Sequence, residues 1–436
     1  MKQTWALASL YLATFMALLD VSVVVIAQTA ITEDLRTTFA GAQWVIDAYT
    51  VALASTMLSC GALADRWGRK RVFLIGLAVF TGASVACAMA PGAAWLIAAR
   101  AVQGVGASVL APGALSLIVH AFPEPGARAR VIGTWSTVIS LAFLLGPVLG
   151  GPLTDLFGWR SVFLINLPLG GLALALGARF LTESADPDGS SPDPLGQVLA
   201  IAWISSLAYA LIEVSSVALG VAAVTLALFI VVELRQPRPM FPIRLLGERG
   251  FGLVNLASFM TGFAAFGSFF LLSAYLQSTR GASPTEAGLQ LLPYVLGGTV
   301  GSTVAGRLVQ SLGAKPPLLA GQALIAASLL ALSTVDTETP YPYVAVLFAG
   351  LGLGVSTSGV PSNALAVGLV PPRQSGIASA TVTATRQTGT AVGVALLGLI
   401  ATAGPKLADG LPHALLTAGV STVVVTVLLL SLKASC

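Results

Sequence analysis

Charge is what this chain has least of. Asp, Glu, Lys and Arg make up 9% of its 436 residues, against about 25% in a soluble domain. It has only two histidines, His120 and His413, both in or near expected loops, and three cysteines, Cys60, Cys87 and Cys436. Cys60 and Cys87 fall in apolar runs and no metal-ligand spacing links them, so neither a disulfide framework nor a metal centre is expected. No Gly-x-x-x-x-Gly-Lys-Ser/Thr loop is present, which argues against direct use of ATP. There is no His-Glu-x-x-His and no Gly-x-Ser-x-Gly, and both histidines lie in or near loops and not deep in a span, so a multi-span membrane enzyme would lack its catalytic groups. The longest polar connectors, 182–196 and 235–250, leave no room for a soluble domain. No cofactor is implied.

What the chain has in abundance is apolar sequence: 56% of its residues, with a mean hydropathy of +0.89. A bilayer core of about 30 Å asks for about 20 apolar residues per helix. Fourteen such runs can be marked, at 5–27, 43–64, 72–90, 93–119, 131–153, 162–181, 197–215, 217–234, 251–276, 284–309, 316–334, 341–367, 376–402 and 411–432. The expectation is an all-α integral membrane protein with 14 transmembrane helices. The first run continues past Asp20 to Ala27 without a small-residue cleavage site, so it reads as an uncleaved helix and not a signal peptide.

The charges that remain are placed unevenly. Residues 43–60 hold one charge and residues 72–99 none, while Arg66, Arg69, Lys70 and Arg71 crowd the turn between them. Short loops rich in Lys and Arg stay in the cytoplasm. With both termini inside, the inner loops and helix ends hold Lys2, those four cations, Arg128, Arg130, Arg179, Arg235, Arg238, Arg244, Arg249, Arg307, Lys315, Arg373 and Lys433. The outer side holds only Arg36, Arg160, Arg280 and Lys406. The basic pI follows from this bias, and nucleic acid is not an expected partner.

The sequence also repeats itself. A shift of 245 carries Gly61, Gly68, Lys70, Leu74 and Gly76 onto Gly306, Gly313, Lys315, Leu319 and Gly321, with Asp65 falling on Gln310. A shift of 243 carries Gly133, Gly146 and Gly150 onto Gly376, Gly389 and Gly393. Two nearly equal offsets argue for two six-helix halves of like orientation, as in transporters with parallel repeats. The expected division is 1–182, an inserted helical pair with its connectors at 183–249, and 250–436.

Several residues stand out as carriers of chemistry. Asp20 is in the middle of the first run, where a charge costs about 2.5–3.5 kcal/mol on insertion scales and must face a cavity or a partner. It reads as a proton site or cation anchor, or else as a structural acid held by helix-end hydrogen bonds. Arg100 lies well inside the fourth run and cannot shed its charge. Its expected partner is Asp20. Gln103, Gly104, Ala107 and Ala111 continue its face at helical spacing. Asp47, near Trp44 and Tyr49, and Glu213 could attract a cationic substrate or relay protons, or be merely interfacial. Phe259, Phe263, Phe266 and Phe270 form a stripe that reads as helix packing or as an aromatic wall for a flat substrate. Gly146, Pro147, Gly150 and Gly151 combine close helix approach with a broken hydrogen-bond ladder, which suits a helix that seals or opens a cavity. Asp65 can accept bonds at a nearby helix N-terminus, and Arg66 and Arg69 can pair with acids.

These motifs resemble those of the major facilitator superfamily. Gly61, Asp65, Arg66, Gly68, Arg69 and Lys70 match its signature loop in full. Arg100 to Gly106 is similar to its central-cavity arginine motif, and Gly146, Pro147, Gly150 and Gly151 to its antiporter motif. Trp159 and Arg160 with Phe163, Asn166 and Pro168, then Ala210 to Glu213, Ser283 to Gly288, and Arg386 with Gln387, are similar to the fourteen-span drug–proton antiporter branch. Section 268–293 is similar to streptomycete methylenomycin-resistance-type exporters. One departure is in the first run, where Val25 and Thr29 replace the family's usual asparagine and proline. The resemblance implies the major facilitator fold, two six-helix bundles plus two extra central helices, in a bacterial cell membrane. It implies a monomeric, proton-coupled antiporter that exports small amphipathic drugs by alternating access, with Asp20 and Arg100 in proton coupling. Alternatives are an exporter of an endogenous metabolite, lipid or siderophore, and, from other classes, a membrane enzyme, a sensor or a channel.

Overall fold

The computed structural model describes residues 2–185, 193–236, 239–371, 374–404 and 406–432. Arg238, Arg373, Lys433 and Cys436 lie outside them. The described residues form helices and turns and no strands, as lipid requires of a chain that is not a closed barrel. They cluster into two compact units, Met1–Ile201 and Ala202–Cys436.

The first unit contains α1 (Lys2–Asp34), α2 (Phe39–Trp67), α3 (Arg69–Ala88), α4 (Ala93–Ala121), α5 (Pro125–Phe157), α6 (Ser161–Leu164), α7 (Asn166–Phe180) and the start of α8 (Pro194–Ile212). The second contains the rest of α8, α9 (Ser216–Arg235), α10 (Ile243–Leu246), α11 (Arg249–Ser278), α12 (Pro284–Gln290), α13 (Leu292–Leu312), α14 (Lys315–Leu332), α15 (Tyr341–Gly368), α16 (Ser375–Ala401) and α17 (Leu407–Leu430). Helices overrun the apolar runs that predict them; α1, for one, continues to Asp34. The run at 162–181 is interrupted at Ile165 and the run at 284–309 at Leu291. Pro168 and Pro293 lie just beyond, and neither can donate to the carbonyl four residues back. The Ser283 motif acts as a helix start. The Ser283 side chain and the Glu286 carboxylate bond each other's backbone N–H, and Pro284 takes the first helical position.

Among the described residues, twelve helices are long and apolar enough to cross a membrane, with Ser161–Phe180 counted as one. The expected count of fourteen is therefore not reached on length and apolarity. The two that fall short are α13 and α16, whose lengths of 21 and 27 residues suffice. Both are rich in glycine and threonine, and α16 also carries Arg386 and Gln387.

Each unit repeats one packing plan. In the first, α1 lies on α5 and α7, α4 on α2 and α3, and α3 on α7. In the second, α11 lies on α16 and α17, α15 on α13 and α14, and α14 on α17. Among the glycines singled out by the two offsets, Gly76 with Gly321, and Gly146 and Gly150 with Gly389 and Gly393, sit at matching contacts, while Gly61, Gly133, Gly306 and Gly376 face open space. A Cβ on Gly76 would stand 3.1 Å from the Gly106 carbonyl oxygen, and one on Gly321 2.9 Å from that of Gly354. A Cβ on Gly146 would strike Ser22 of α1, and one on Gly389 would lie 2.1 Å from the Phe259 carbonyl oxygen of α11. Only glycine lets helix backbones approach so closely. Side chains such as Val217 and Val346 are 78% and 69% exposed, as befits helices whose outer faces meet lipid tails.

Candidate functional site

Five helices of the first unit converge on one carboxylate. Asp20 of α1 is fully buried, as are Ser84 of α3, Gln103 of α4 and Asn166 of α7, and Arg100 of α4 is 1% exposed. Arg100 Nη1 donates to Asp20 Oδ2 at 2.5 Å and to Gln103 Oε1 at 2.6 Å. Gln103 Nε2 and Asn166 Nδ2 both donate to Asp20 Oδ1, at 2.9 and 2.8 Å, and both reach Ser84 Oγ. Arg100 Nε donates to the Val45 carbonyl of α2 at 3.0 Å. The guanidinium lies 4.2 Å over the Tyr49 ring and 5.8 Å from the centre of the Phe163 ring. The Tyr49 hydroxyl in turn bonds the Ala17 carbonyl. Both oxygens of Asp20 accept from N–H donors, so the cluster fits an ionised carboxylate paired with a guanidinium. Coulomb attraction is strong in such a medium, but removal of either partner leaves an uncompensated charge.

The expectation that Arg100 seeks Asp20 agrees with this geometry. Ser84 was not anticipated, because one hydroxyl in an apolar helix carries no signal of its own. Asn166 appeared only as part of a motif, and the structure gives that motif a physical account. Trp159 Nε1 and Arg160 Nη1 both donate to Asp34 Oδ2, at 2.9 and 2.7 Å, tying the far end of α1 to the α5–α6 turn. From that anchor, Phe163 stacks edge-on against Trp159 and approaches Arg100, while Asn166 reaches Asp20.

Asp47 is also fully buried, with a different environment. Its Oδ1 accepts from Thr50 Oγ1 at 3.1 Å, and its Oδ2 has no hydrogen-bond partner among the described residues. Trp44 is half-buried one turn away. Glu213 lies exposed in the turn after α8 and belongs to the second unit. Phe259 and Phe263 stack at 6.2 Å, and their backbones are what Gly389 and Gly393 pack against. Phe270 is core, and Phe266 is the partly exposed member alongside Phe259. Most of the stripe thus serves helix packing.

In the signature loop, Gly68 adopts φ +108 and joins α2 to α3, a conformation that disfavours any side chain. Asp65 pairs with Arg69 at 2.8 Å within the loop. The carboxylate at the helix N-terminus is Glu183, where Asp65 was expected. Its oxygens accept from the backbone N–H of Lys70 and Arg71, at 3.0 and 3.2 Å, where the helix dipole favours negative charge. A Cβ on Gly68 would overlap that carboxylate. Lys70 Nζ donates to the Ala178 carbonyl near the end of α7. Gly61 touches nothing nearby, and Arg66 is exposed. Gly150 packs on Val23 of α1, and Pro147 and Gly151 are buried in α5 beside it.

A buried acid–guanidinium pair among long apolar helices marks a polytopic membrane protein built to keep charge within the bilayer. The Major Facilitator Superfamily model matches residues 10–235 and 254–435. The methylenomycin A resistance protein of Streptomyces coelicolor is 38% identical over 398 residues, covering 88% of this chain and 83% of that protein. The multidrug resistance protein Stp of Mycobacterium tuberculosis is 36% identical over 419 residues, covering 92% and 77%. A POT family transporter solved with a thioalcohol-conjugated peptide has the same fold, with a TM-score of 0.75 at 15% identity over 97% of this chain and 95% of that one. The chain belongs to the Major Facilitator Superfamily: it is a multi-pass membrane protein of a transporter family.

Proposed function

We propose that this protein exports small amphipathic drugs or antibiotics from the cytoplasm, driven by proton antiport through alternating access. The names of its relatives support drug or antibiotic efflux. The observation that carries the coupling is the Asp20–Arg100 pair, sealed from solvent and shared by helices α1, α2, α3, α4 and α7. A proton delivered to Asp20 Oδ2 cancels the carboxylate charge and removes the acceptor of the shortest bond in the cluster. Arg100 keeps Val45, Gln103 and the Tyr49 ring, so its charge stays partly satisfied while its own link to α1 is lost, and α1 is then held to α4 by the weaker bond from Gln103 to Asp20 Oδ1. In the proposed cycle the buried pairing of Asp20 with Arg100 is one state, and Asp20 meets water in another, where α1 and α4 part. Drug binding from the cytoplasm then accompanies loss of the proton, and drug release outside accompanies its uptake.

Around this centre, Gln103 and Tyr49 hold Arg100 in place. In the first unit Asp47 and Trp44 are the substrate-cavity candidates, acidic and aromatic; in the second Phe263 and Phe266 are the apolar candidates and Glu213 an outer attraction for cations. Gly61, Asp65, Arg66, Gly68, Arg69 and Lys70, with Gly146, Pro147, Gly150 and Gly151, gate the motion. Both termini face the cytoplasm, the halves are 1–182 and 250–436 about an inserted pair at 183–249, and the monomer is the working unit. The deciding experiment follows drug-induced proton release in everted vesicles. Asp20→Asn should bind drug and release no protons, and undiminished coupled efflux by that variant would overturn the assignment.

A further inference from the structure

The second unit contains a cation that nothing in the first explains. Arg386 is partly buried in the middle of α16, and its guanidinium makes no hydrogen bond or ion pair with any described residue. Arg100 offers the contrast, with a carboxylate, an amide and a carbonyl around it. Arginine does not give up its proton, so a guanidinium at this depth needs an anion or water. The helices beside it supply no anion. Neither α11, α15 nor α16 contains an aspartate or glutamate. The site is shaped as well as charged. Arg386 Nη1 lies 3.6 Å from where a Cβ on Gly359 of α15 would stand, so glycine keeps the space in front of it open. Ser379 and Thr383 precede Arg386 on the same face of α16, and Ser379 Oγ bonds Asn363 Oδ1 of α15, one turn from Gly359. The backbone of Arg386 is fixed from the other side, where Gly262 of α11 presses on its carbonyl.

We infer that Arg386 is the seat for an anionic group of the transported compound, a carboxylate, with Ser379, Thr383 and Asn363 as its polar surround. This deepens the export reading and rests on it: the amphipathic substrates include organic acids, and Arg386 sets their preference over neutral analogues. A guanidinium fork matches a carboxylate with two parallel bonds. Loss of it lowers affinity for the acid by roughly 10- to 100-fold and leaves the neutral form unaffected.

The test uses the full chain purified in detergent and measures thermal protection and equilibrium binding of 1-naphthoate, its methyl ester, chloride and dihexanoyl phosphatidate. The wild type should be protected by naphthoate more than by the ester or by equal chloride. Arg386→Gln should lose the difference between acid and ester, and Arg386→Lys should retain part of it. Equal protection by acid and ester in the wild type, or undiminished acid binding by Arg386→Gln, overturns the inference. So does protection by the phosphatidate alone, which would make a lipid headgroup the occupant. Everted vesicles separate the two claims. If naphthoate binds through Arg386 and the wild type moves no compound at all, the export reading fails and the anion seat stands.

Discussion

The two units solve one packing problem with opposite chemistry. In the first, the helices α1, α3 and α4 meet through the charged Asp20–Arg100 cluster. In the second, their counterparts α11, α14 and α15 meet through a neutral one. Gln322 Nε2 of α14 donates to the Ala257 carbonyl and to Thr261 and Ser358, all within 2.8–2.9 Å, and Thr261 bonds Ser358 at 3.0 Å. Both clusters are buried. The neutral one can only hold helices together. The charged one holds them through an ion pair, and it is there that the proposed proton coupling is placed. Two scaffolds of like packing thus carry different chemistry, one charged and one neutral.

The comparison can be broken most sharply at Arg100. Arg100→Gln leaves Asp20 as a buried charge without its partner and should cost about 3–5 kcal/mol, read as a fall in thermal midpoint of the purified protein. Asp20→Asn leaves the Arg100 guanidinium without its anion, held by the Val45 carbonyl, Gln103 and the Tyr49 ring, and should cost a comparable amount. The glycine seams come next. Gly389→Ala puts a methyl group against the Phe259 backbone and should cost about 3 kcal/mol, at the upper end for overpacking. Gly146→Ala meets the Ser22 side chain instead, so the double variant Gly146→Ala, Ser22→Gly should recover stability while no single side-chain change rescues Gly389→Ala. Gln322→Leu in the neutral cluster should cost about 1–2 kcal/mol, because bonds between membrane helices are individually modest. Transport per folded molecule should be retained, which would confirm the cluster as a clasp. The smallest effect is expected at Glu183→Gln, which weakens the charge at the start of α3 by about 1 kcal/mol. Hydrogen exchange confined to the backbone amides of Lys70 and Arg71 would report it.

How much of this was legible beforehand depends on charge. Asp20, Arg100 and Gln103 were readable because an ionised group in an apolar run must find a partner, and few were available. The glycine offsets were readable because only glycine fits where backbones touch, so the repeat survives there when other residues drift. Glu183 was not readable. It sits in a polar connector and reaches α3 from 113 residues away in the chain. Gln322, Thr261 and Ser358 were silent as well, since neutral polar side chains in apolar helices are common and the partner of each lies on another helix. Nor does apolarity decide membrane crossing for α13 and α16, whose glycines and threonines serve helix contacts and lower their hydropathy at the same time.

Lys70 and Lys315 stand 245 positions apart, and each closes its own unit. Lys70 reaches the Ala178 carbonyl 108 residues later, and Lys315 reaches those of Leu430 and Leu432. Each ammonium therefore waits for the last helix of its bundle to leave the ribosome, about 5–20 s at ordinary rates of synthesis. A bundle is tied off only once its final helix has arrived, and the first can be finished before the second has begun. Biogenesis would then proceed in two separate closures, each secured by one lysine across the ends of its helices.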